Sequence, residues 1–284
     1  MRERLEVNEI KPPRSLRFLY YRKVGRPILR LCSARWMANT YARYLNSRLS
    51  KRKIKKFIRR NGIDMSEYKQ VKYRSFNEFF TREIKPECRP VDRDESSLIS
   101  PCDGKLTAFK IDENSIFRVK GFDYSMNTLL KNEELARQFE GGVCLIFRLC
   151  VDDYHRYIYF DRGTAEDNVF IKGRLHTVQP TALAKRRVFT ENCREYTLLH
   201  TENFGDALQV EVGAMFVGRI VNHAKKQFER GEEKGKFEFG GSTILLILKK
   251  DVVEIDGEIL KNTQEEYETV IKCGERIGIA VRNK

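Results

Sequence analysis

The sequence contains few of the residues that build metal sites or disulfide frameworks. Only four of its 284 residues are histidine, seven are proline and one is tryptophan. Its seven cysteines are an odd number, and none stands in C-x-x-C spacing with an associated pair of histidines. Scattered free thiols indicate a reducing compartment rather than a disulfide scaffold. We therefore expect neither disulfides nor a bound metal.

Long apolar runs are also absent. No stretch of about 18 apolar residues could cross a bilayer, and the first residues do not have the pattern of a signal peptide. No internal repeat or low-complexity tract is visible. If the chain works at a membrane, we expect it to lie on the surface.

Positive charge is abundant but confined to one segment. The net charge of the chain is +14, yet residues 1–60 alone hold 19 Lys or Arg against three Glu, a net of +16. The remaining residues hold 35 basic against 37 acidic side chains, a net of −2. No recognisable nucleic-acid module accompanies the basic segment, so we expect no nucleic-acid partner.

The basic segment has the pattern of a helical region. Residues 1–14 are polar and predict an arm, and apolar residues at near-helical spacing among Arg and Lys predict helix over 15–61. A basic amphipathic helix with aromatic residues can lie in the interface of an anionic membrane. A solvated helix packed on the main domain and an RNA-binding helix are the alternatives. We expect a basic helical, membrane-associating region over 1–90.

After Pro90, strand-like pieces alternate with turns. The sequence predicts an α+β fold, in which a β-rich domain of mixed or antiparallel sheets covers 91–284 behind the helical segment. One helix is expected over 126–139. Strands are expected over 98–100, 104–109, 116–120, 143–149, 156–160, 188–189, 195–201, 207–212, 216–220 and 244–250.

The stretch Gly240-Gly241-Ser242-Thr243 precedes a continuously apolar run, which is typical of a strand buried on both faces. The glycines allow close backbone approach, and a hydroxyl held against a strained carbonyl is a nucleophile that needs a base. A tight turn with a capping hydroxyl is the plainer interpretation.

A histidine is the natural base near neutral pH. His155 directly follows an apolar strand, and His176 lies between strand-like and turn-like residues, whereas His200 and His223 sit among ordinary polar neighbours. Asp103, in a Pro-x-Asp-Gly turn, is the candidate carboxylate that would orient the base. The residues alone do not choose between His155 and His176.

Several motifs, in order from Phe76 to Leu248, resemble the phosphatidylserine decarboxylases, which are pyruvoyl-dependent and mature by self-cleavage. The resemblance is carried by the segment from Phe76 to Pro90, by Ser100-Pro-Cys-Asp-Gly104, by Asp153-Tyr-His-Arg156, by the Val-Gly-Ala run from Val212 to Ile220 and by Lys234-Gly-Lys-Phe-Glu-Phe-Gly-Gly-Ser-Thr243.

The resemblance implies that Ser242, deprotonated by a histidine that Asp103 orients, attacks the carbonyl of Gly241. Cleavage between 241 and 242 would leave a large subunit (1–241), a small subunit (242–284) and a covalent pyruvoyl group made from Ser242. This cofactor would decarboxylate phosphatidylserine of an anionic membrane to phosphatidylethanolamine. It further implies a peripheral protein on the cytoplasmic face of the cell membrane, with a homodimer left open.

One position departs from the family pattern. Many members carry a second histidine three residues after the first, as the partner of the aspartate, and here that position is Ile158. Either His155 serves both processing and decarboxylation, or His176 substitutes as an auxiliary base, or maturation is slower; we favour His155. An uncut, inactive membrane-binding homologue and a pyruvoyl decarboxylase of a soluble amino acid remain as alternatives.

Overall fold

A computed structural model describes residues 1–6, 13–215, 219–240 and 242–281 of the chain. Helices gather at the N-terminus and antiparallel strands form the core, so the expected α+β class is confirmed. The helices are α1 (Arg14–Tyr21), α2 (Gly25–Cys32), α3 (Arg35–Leu45), α4 (Ile54–Asn61), α5 (Phe76–Phe80), α6 (Met126–Leu130), α7 (Glu133–Arg137), α8 (Pro180–Leu183), α9 (Val188–Glu191) and α10 (Gly257–Gln264), with 3₁₀ turns at Arg48–Lys53, Met65–Glu67 and Pro86–Cys88.

The strands are short except near the centre of the core. They are β1 (Arg4–Glu6), β2 (Ser97–Ile99), β3 (Gly104–Lys110), β4 (Ile116–Val119), β5 (Phe122–Ser125), β6 (Val143–Arg148), β7 (Arg156–Ile158), β8 (Gly163–Ala165), β9 (Val169–Ile171), β10 (Arg194–Thr201), β11 (Gly205–Val212), β12 (Ile220–Asn222), β13 (Gln227–Phe228), β14 (Glu233–Phe237), β15 (Thr243–Leu248), β16 (Val253–Ile255), β17 (Tyr267–Ile271) and β18 (Arg276–Ala280).

The largest sheet of the described residues is antiparallel and holds β15 near its middle. Its strand order is β1-β17-β3-β6-β15-β11-β10-β8-β13, with β9 paired to β10. Strand β15 pairs with β11 on one side and β6 on the other, and all six of its residues are buried. The prediction of a strand buried on both faces is therefore confirmed, and Ser242 immediately precedes it.

The N-terminal region is broken into separate helices rather than one long one. Gly25 and Pro27 lie in the first turn of α2, where proline is tolerated, and Gly62 caps the end of α4 with φ of +62°. The predicted arm also differs in part, because β1 extends the core sheet by pairing with β17. Residues 7–12 of that arm lie outside the described range.

An aromatic cluster connects the helical region to the segment before Ser242. Phe239 packs edge-to-face on Phe76 and Phe80, with ring centroids 5.2 and 5.0 Å apart. The backbone N–H of Phe239 donates to Asn77 Oδ1 at 3.1 Å. Helix α5, which Ser75 caps by accepting from the N–H of Glu78, thus fixes the chain one residue before Gly240.

Two predicted elements differ from the structure, and a third lies mostly outside the described range. Residues 188–189 form part of helix α9 rather than a strand, because two adjacent apolar residues do not define a period. The helix expected over 126–139 is divided into α6 and α7 by Lys131, whose φ is +52°. Of the strand expected over 216–220, residues 216–218 lie outside the described range and Ile220 begins β12.

Candidate active site

Ser242 is completely buried at the start of β15, and its Oγ finds no hydrogen-bond partner among the described residues. Its backbone N–H donates to the carbonyl of Gly240 at 2.7 Å, which closes a tight turn. Gly240 has φ of +133°, a conformation that a side chain rarely adopts. Gly241, the predicted cleavage residue, lies outside the described range. A buried, unpaired hydroxyl is costly in an ordinary core, and the neighbouring Thr243 Oγ1 is buried and unpaired as well.

His155 lies in the segment before β7, is 1% exposed and packs against the ring of Phe80 with centroids 4.2 Å apart. Its Nδ1 lies 2.8 Å from the carbonyl oxygen of Asp153. Because a carbonyl can only accept, Nδ1 carries the hydrogen and Nε2 holds the free electron pair. Nε2 is buried and has no partner in the described part of the chain. The imidazole therefore presents an unoccupied basic nitrogen.

Burial keeps this imidazole neutral. It lowers the pKa of His155 to about 3, and the cations Arg82 and Lys105 lower it further. The backbone of Asp153 and that of Gly240 oppose this by stabilising the protonated ring, so they raise the pKa. The carbonyl of Gly240 accepts the N–H of Ser242 at 2.7 Å, and the backbone of Gly240 is near enough to the imidazole of His155 to raise its pKa. The structure brings these two predicted residues to the same glycine.

A buried ion pair holds the carbonyl that orients His155. Lys105 Nζ lies 2.7 and 2.8 Å from the two carboxylate oxygens of Asp153, and the N–H of Cys150 donates to the same carboxylate at 2.6 Å. Burial raises the pKa of Asp153, and Lys105 opposes the rise. This pair was not predicted from the sequence. The available signal was a lysine directly after the Asp-Gly turn and an aspartate inside the Tyr-His-Arg motif.

Asp103 is buried, but its hydrogen bonds do not go to a histidine. Arg89 donates to both carboxylate oxygens, with Nη2 2.7 Å from Oδ2, and the N–H of Cys273 donates to Oδ1 at 2.8 Å. The bidentate guanidinium occupies the carboxylate. The contact that orients His155 is therefore made by the carbonyl of Asp153, and the expected one from Asp103 is not present among the described residues.

His176 lies in a different environment from His155. Its Nδ1 is 3.2 Å from the hydroxyl of Tyr20 on α1, and its Nε2 is 3.5 Å from Glu191 on α9. Burial lowers the pKa of His176 to about 4, with Arg186 and Arg174 contributing. No contact of the described residues links its ring to Gly240 or Ser242. It belongs to a cavity between the N-terminal helices and α9.

The other two histidines are exposed and paired with acids. His200 lies 2.7 Å from Asp206, and His223 lies 3.0 Å from Glu233.

Over the described ranges, no group of three or more His, Cys, Asp or Glu is arranged to hold a metal ion. Among the described residues, Ser242 is the candidate for conversion into a covalent cofactor, because its buried hydroxyl has no hydrogen-bond partner and would be free to react.

Comparison with known proteins gives a consistent result. A sequence model of the family described as phosphatidylserine decarboxylase matches residues 76–279. The chain is 46% identical over 264 residues to phosphatidylserine decarboxylase proenzyme 2 of Clostridium acetobutylicum, which covers 93% of this chain and 91% of the relative. It is 42% identical over 280 residues to a phosphatidylserine decarboxylase proenzyme of Clostridium botulinum, covering 96% of this chain and 95% of the relative.

Proposed function

Because the chain belongs to the phosphatidylserine decarboxylase family, and is thereby a carboxy-lyase, we propose that it converts phosphatidylserine to phosphatidylethanolamine and carbon dioxide through a pyruvoyl group made from Ser242. The observation that carries the proposal is that two buried polar atoms without hydrogen-bond partners belong to residues that both lie close to Gly240. These are Ser242 Oγ and the free Nε2 of His155. Neither group has a structural task that would explain its burial without a partner.

In the proposed self-cleavage, His155 takes the hydroxyl proton of Ser242 on Nε2. Oγ forms a bond to the carbonyl carbon of Gly241, and the peptide C–N bond breaks, which turns the amide into an ester and leaves an amine on residue 242. Loss of the α-proton of residue 242 then releases the carboxylate of Gly241. The resulting enamine consumes one water and loses ammonia, which yields the pyruvoyl group.

Burial of the site supports this sequence in two ways. The neutral imidazole is ready to accept a proton at any pH above about 4, since its pKa is about 3. Exclusion of water protects the ester until elimination. The same low pKa makes His155 a weak base, so we expect slow maturation, as the replacement of the second histidine by Ile158 also suggested.

Once formed, the pyruvoyl ketone supplies an electron sink for the carbon that loses carbon dioxide. The chain's own residues hold position 242 at the mouth of β15. Ser242 is fully buried in the uncut chain. We therefore propose that the segment around the cut moves before the amine of a lipid can approach, with His155 available to handle protons at the reacting carbon.

The two proposed subunits would remain together after the cut. The small one, 242–284, contributes β15 between β6 and β11 and β17 between β1 and β3. A buried ion pair joins Arg148 to Glu268 across the proposed subunits, with side chains 6% and 5% exposed. The N–H of Cys273 adds its bond to Asp103. We retain Asp103 as a residue that holds this junction.

We propose that the region 1–90 attaches the catalytic domain, 91–284, to the cytoplasmic face of an anionic membrane. No helix in the described ranges has the length and apolar character needed to cross a bilayer. Exposed apolar side chains on α1–α3 stand among Arg and Lys residues, which is the composition of an interfacial helix. They are Phe18, Tyr21, Ile28, Leu31 and Trp36.

Intact-mass spectrometry of the purified protein tests the self-cleavage. We expect two chains divided before residue 242, the smaller one lacking an amino terminus, and a single chain from the Ser242→Ala variant. One uncut wild-type chain near 33 kDa would refute the proposal and favour an inactive homologue. Cleavage that persists in His155→Ala but stops in His176→Ala would assign the base to His176.

The substrate is tested separately by carbon dioxide release from the cleaved enzyme. Vesicles containing phosphatidylserine should support turnover, whereas free serine and other soluble amino acids should not. Activity on a soluble amino acid without vesicles would show that the substrate is that amino acid and not the lipid. The proposed self-cleavage would not be affected by this result.

A further inference from the structure

The cavity that contains His176 is strongly basic. It has a volume of about 490 Å³ and lies between the N-terminal helices and the loop that joins α8 to α9. Arg26 and Arg30 of α2 line one side, and Arg174, Lys185 and Arg186 line the other. Cationic side chains from α2 and from residues 174–186, which are more than 140 residues apart in the sequence, therefore line the same cavity.

These cations lack acidic partners. Among the described residues, none of the four arginines forms an ion pair, and Lys185 lies over the ring of Tyr21 with Nζ 4.9 Å from its centroid. Glu191 is the single acid among the described lining residues. Five positive charges facing one carboxylate repel each other, and an anion bound between them would relieve that repulsion.

The buried floor of the cavity is formed by Tyr20 and His176. The N–H of Thr177 donates to the hydroxyl oxygen of Tyr20 at 3.2 Å, which leaves the hydroxyl hydrogen for Nδ1 of His176, also at 3.2 Å. The other ring nitrogen, Nε2, then carries the hydrogen and faces the Glu191 carboxylate at 3.5 Å. The donors left for an anion are the guanidinium groups on the walls, which suit a ligand with several oxygens in different directions.

We propose that this cavity binds the phosphate group of an anionic ligand. The ligand is either the head group of an anionic phospholipid or free phosphate, since both present the same chemistry. Arg26 and Arg30 lie on one face of α2, and the exposed Ile28 and Leu31 lie on roughly the opposite face of the same helix. The site goes beyond the reaction proposed at Ser242, and neither depends on the other.

The experiment compares two charge-matched variants of the full chain. Arg174→Gln/Arg186→Gln removes two cavity cations, and Arg59→Gln/Arg60→Gln removes two exposed cations from α4, which does not line the cavity. All four side chains are exposed, so both variants should keep the wild-type melting temperature. Binding of inorganic phosphate is measured by calorimetry, and binding to phosphatidylcholine vesicles with and without phosphatidylglycerol by sedimentation.

We expect the cavity variant to bind about tenfold more weakly than the control, because two charge-assisted contacts are lost. A selective loss in the phosphate arm identifies free phosphate as a ligand. A selective loss only in the phosphatidylglycerol arm identifies the lipid head group. Equal weakening in both variants would mean diffuse charge attraction, and equal or absent binding in both arms would likewise overturn the site. Self-cleavage is scored in parallel and should be unchanged, so failure here is distinct from failure at Ser242.

Discussion

The pH dependence of self-cleavage should reveal how deeply the base is buried. An imidazole in water has a pKa of 6.5, whereas burial lowers that of His155 to about 3. At pH 5 an ordinary imidazole is about 3% neutral, while one with a pKa of about 3 is about 99% neutral. If His155 is the base, lowering the pH from 8 to 5 should leave the fraction of competent base almost unchanged. An ordinary base would lose about 30-fold in rate.

The lowered pKa of His155 also makes the folded chain less stable at low pH, which limits the pH range in which cleavage can be measured. The folded state keeps His155 neutral, while the unfolded chain binds a proton below pH 6.5, so stability is constant above that pH and falls as the pH drops toward 3. At pH 5 the loss is about 2 kcal/mol, and His176, whose pKa is lowered to about 4, adds about 2 more. Circular dichroism must therefore show a folded chain at each pH.

The assay follows precursor made by cell-free translation at pH 7.5 and then shifted into buffers between pH 4.5 and 8. The cut fraction is read from a gel against time. A rate that falls tenfold per pH unit below a midpoint near 6.5, while the chain stays folded, would show that the proton is taken by an imidazole in ordinary solvent and would refute the assignment. The His155→Gln variant, which cannot act as a base, should remain uncut throughout and lose about half of the pH-dependent instability.

Three further outcomes follow from named contacts. Lys105→Met should slow self-cleavage and lower the free energy of unfolding by about 3 kcal/mol, because it leaves the Asp153 carboxylate buried without its cation. Adding Asp153→Asn should recover part of the melting temperature. An unchanged cleavage rate in Lys105→Met would show that the Lys105–Asp153 pair does not position His155. Glu268→Gln should lower the urea midpoint at which the cut subunits separate, again by about 3 kcal/mol, since Arg148 loses its buried partner; an unchanged midpoint would show that the pair does not hold the junction. The single tryptophan, Trp36, is 58% exposed on α3. Its fluorescence emission should therefore shift to the blue when vesicles containing phosphatidylglycerol are added, and not with vesicles of phosphatidylcholine alone. An unshifted spectrum from protein that is bound to vesicles would show that α3 does not face the membrane.

The sequence predicted best where a pattern reports burial directly. The run after Ser242 is continuously apolar, and β15 is buried along its whole length between two neighbours. The alternation and turns of 104–109, 195–201 and 207–212 likewise placed three core strands within a residue or two. Short strands such as β8 and β13 were missed because two or three residues carry no period of their own, and tertiary pairing defines them.

The contacts within the site could not be predicted from spacing. Lys105 and Asp153 are 48 residues apart, and nothing local shows that the fold joins them. Asp103 and His155 were chosen as the candidate carboxylate and base, and both are buried, yet their partners are Arg89 and a backbone carbonyl. Sequence motifs therefore identified which side chains are unusual, whereas the hydrogen bonds that set their roles depend on the three-dimensional fold.

Ile158 lies beside the turn that carries Asp103. The N–H of Ile158 donates to the carbonyl of Pro101 at 2.8 Å, so position 158 lies against the turn that carries Asp103. The resemblance to the family implies a histidine at this position as the partner of the aspartate, whereas in this chain position 158 is apolar and Arg89 binds the carboxylate. The chain keeps the acid in place but lacks the imidazole beside it.

Ile158→His should therefore accelerate self-cleavage, because the new imidazole can donate an orienting hydrogen bond to Asp103 and offer a base whose pKa that carboxylate raises. The side chain at 158 is 9% exposed, and burying a polar ring there costs about 1–3 kcal/mol unless it is paired. Ile158→Leu controls for packing and should leave the rate unchanged. Combining Ile158→His with Asp103→Asn should cancel the gain. Equal rates for the histidine and leucine variants, both folded, would mean that His155 alone sets the speed of maturation.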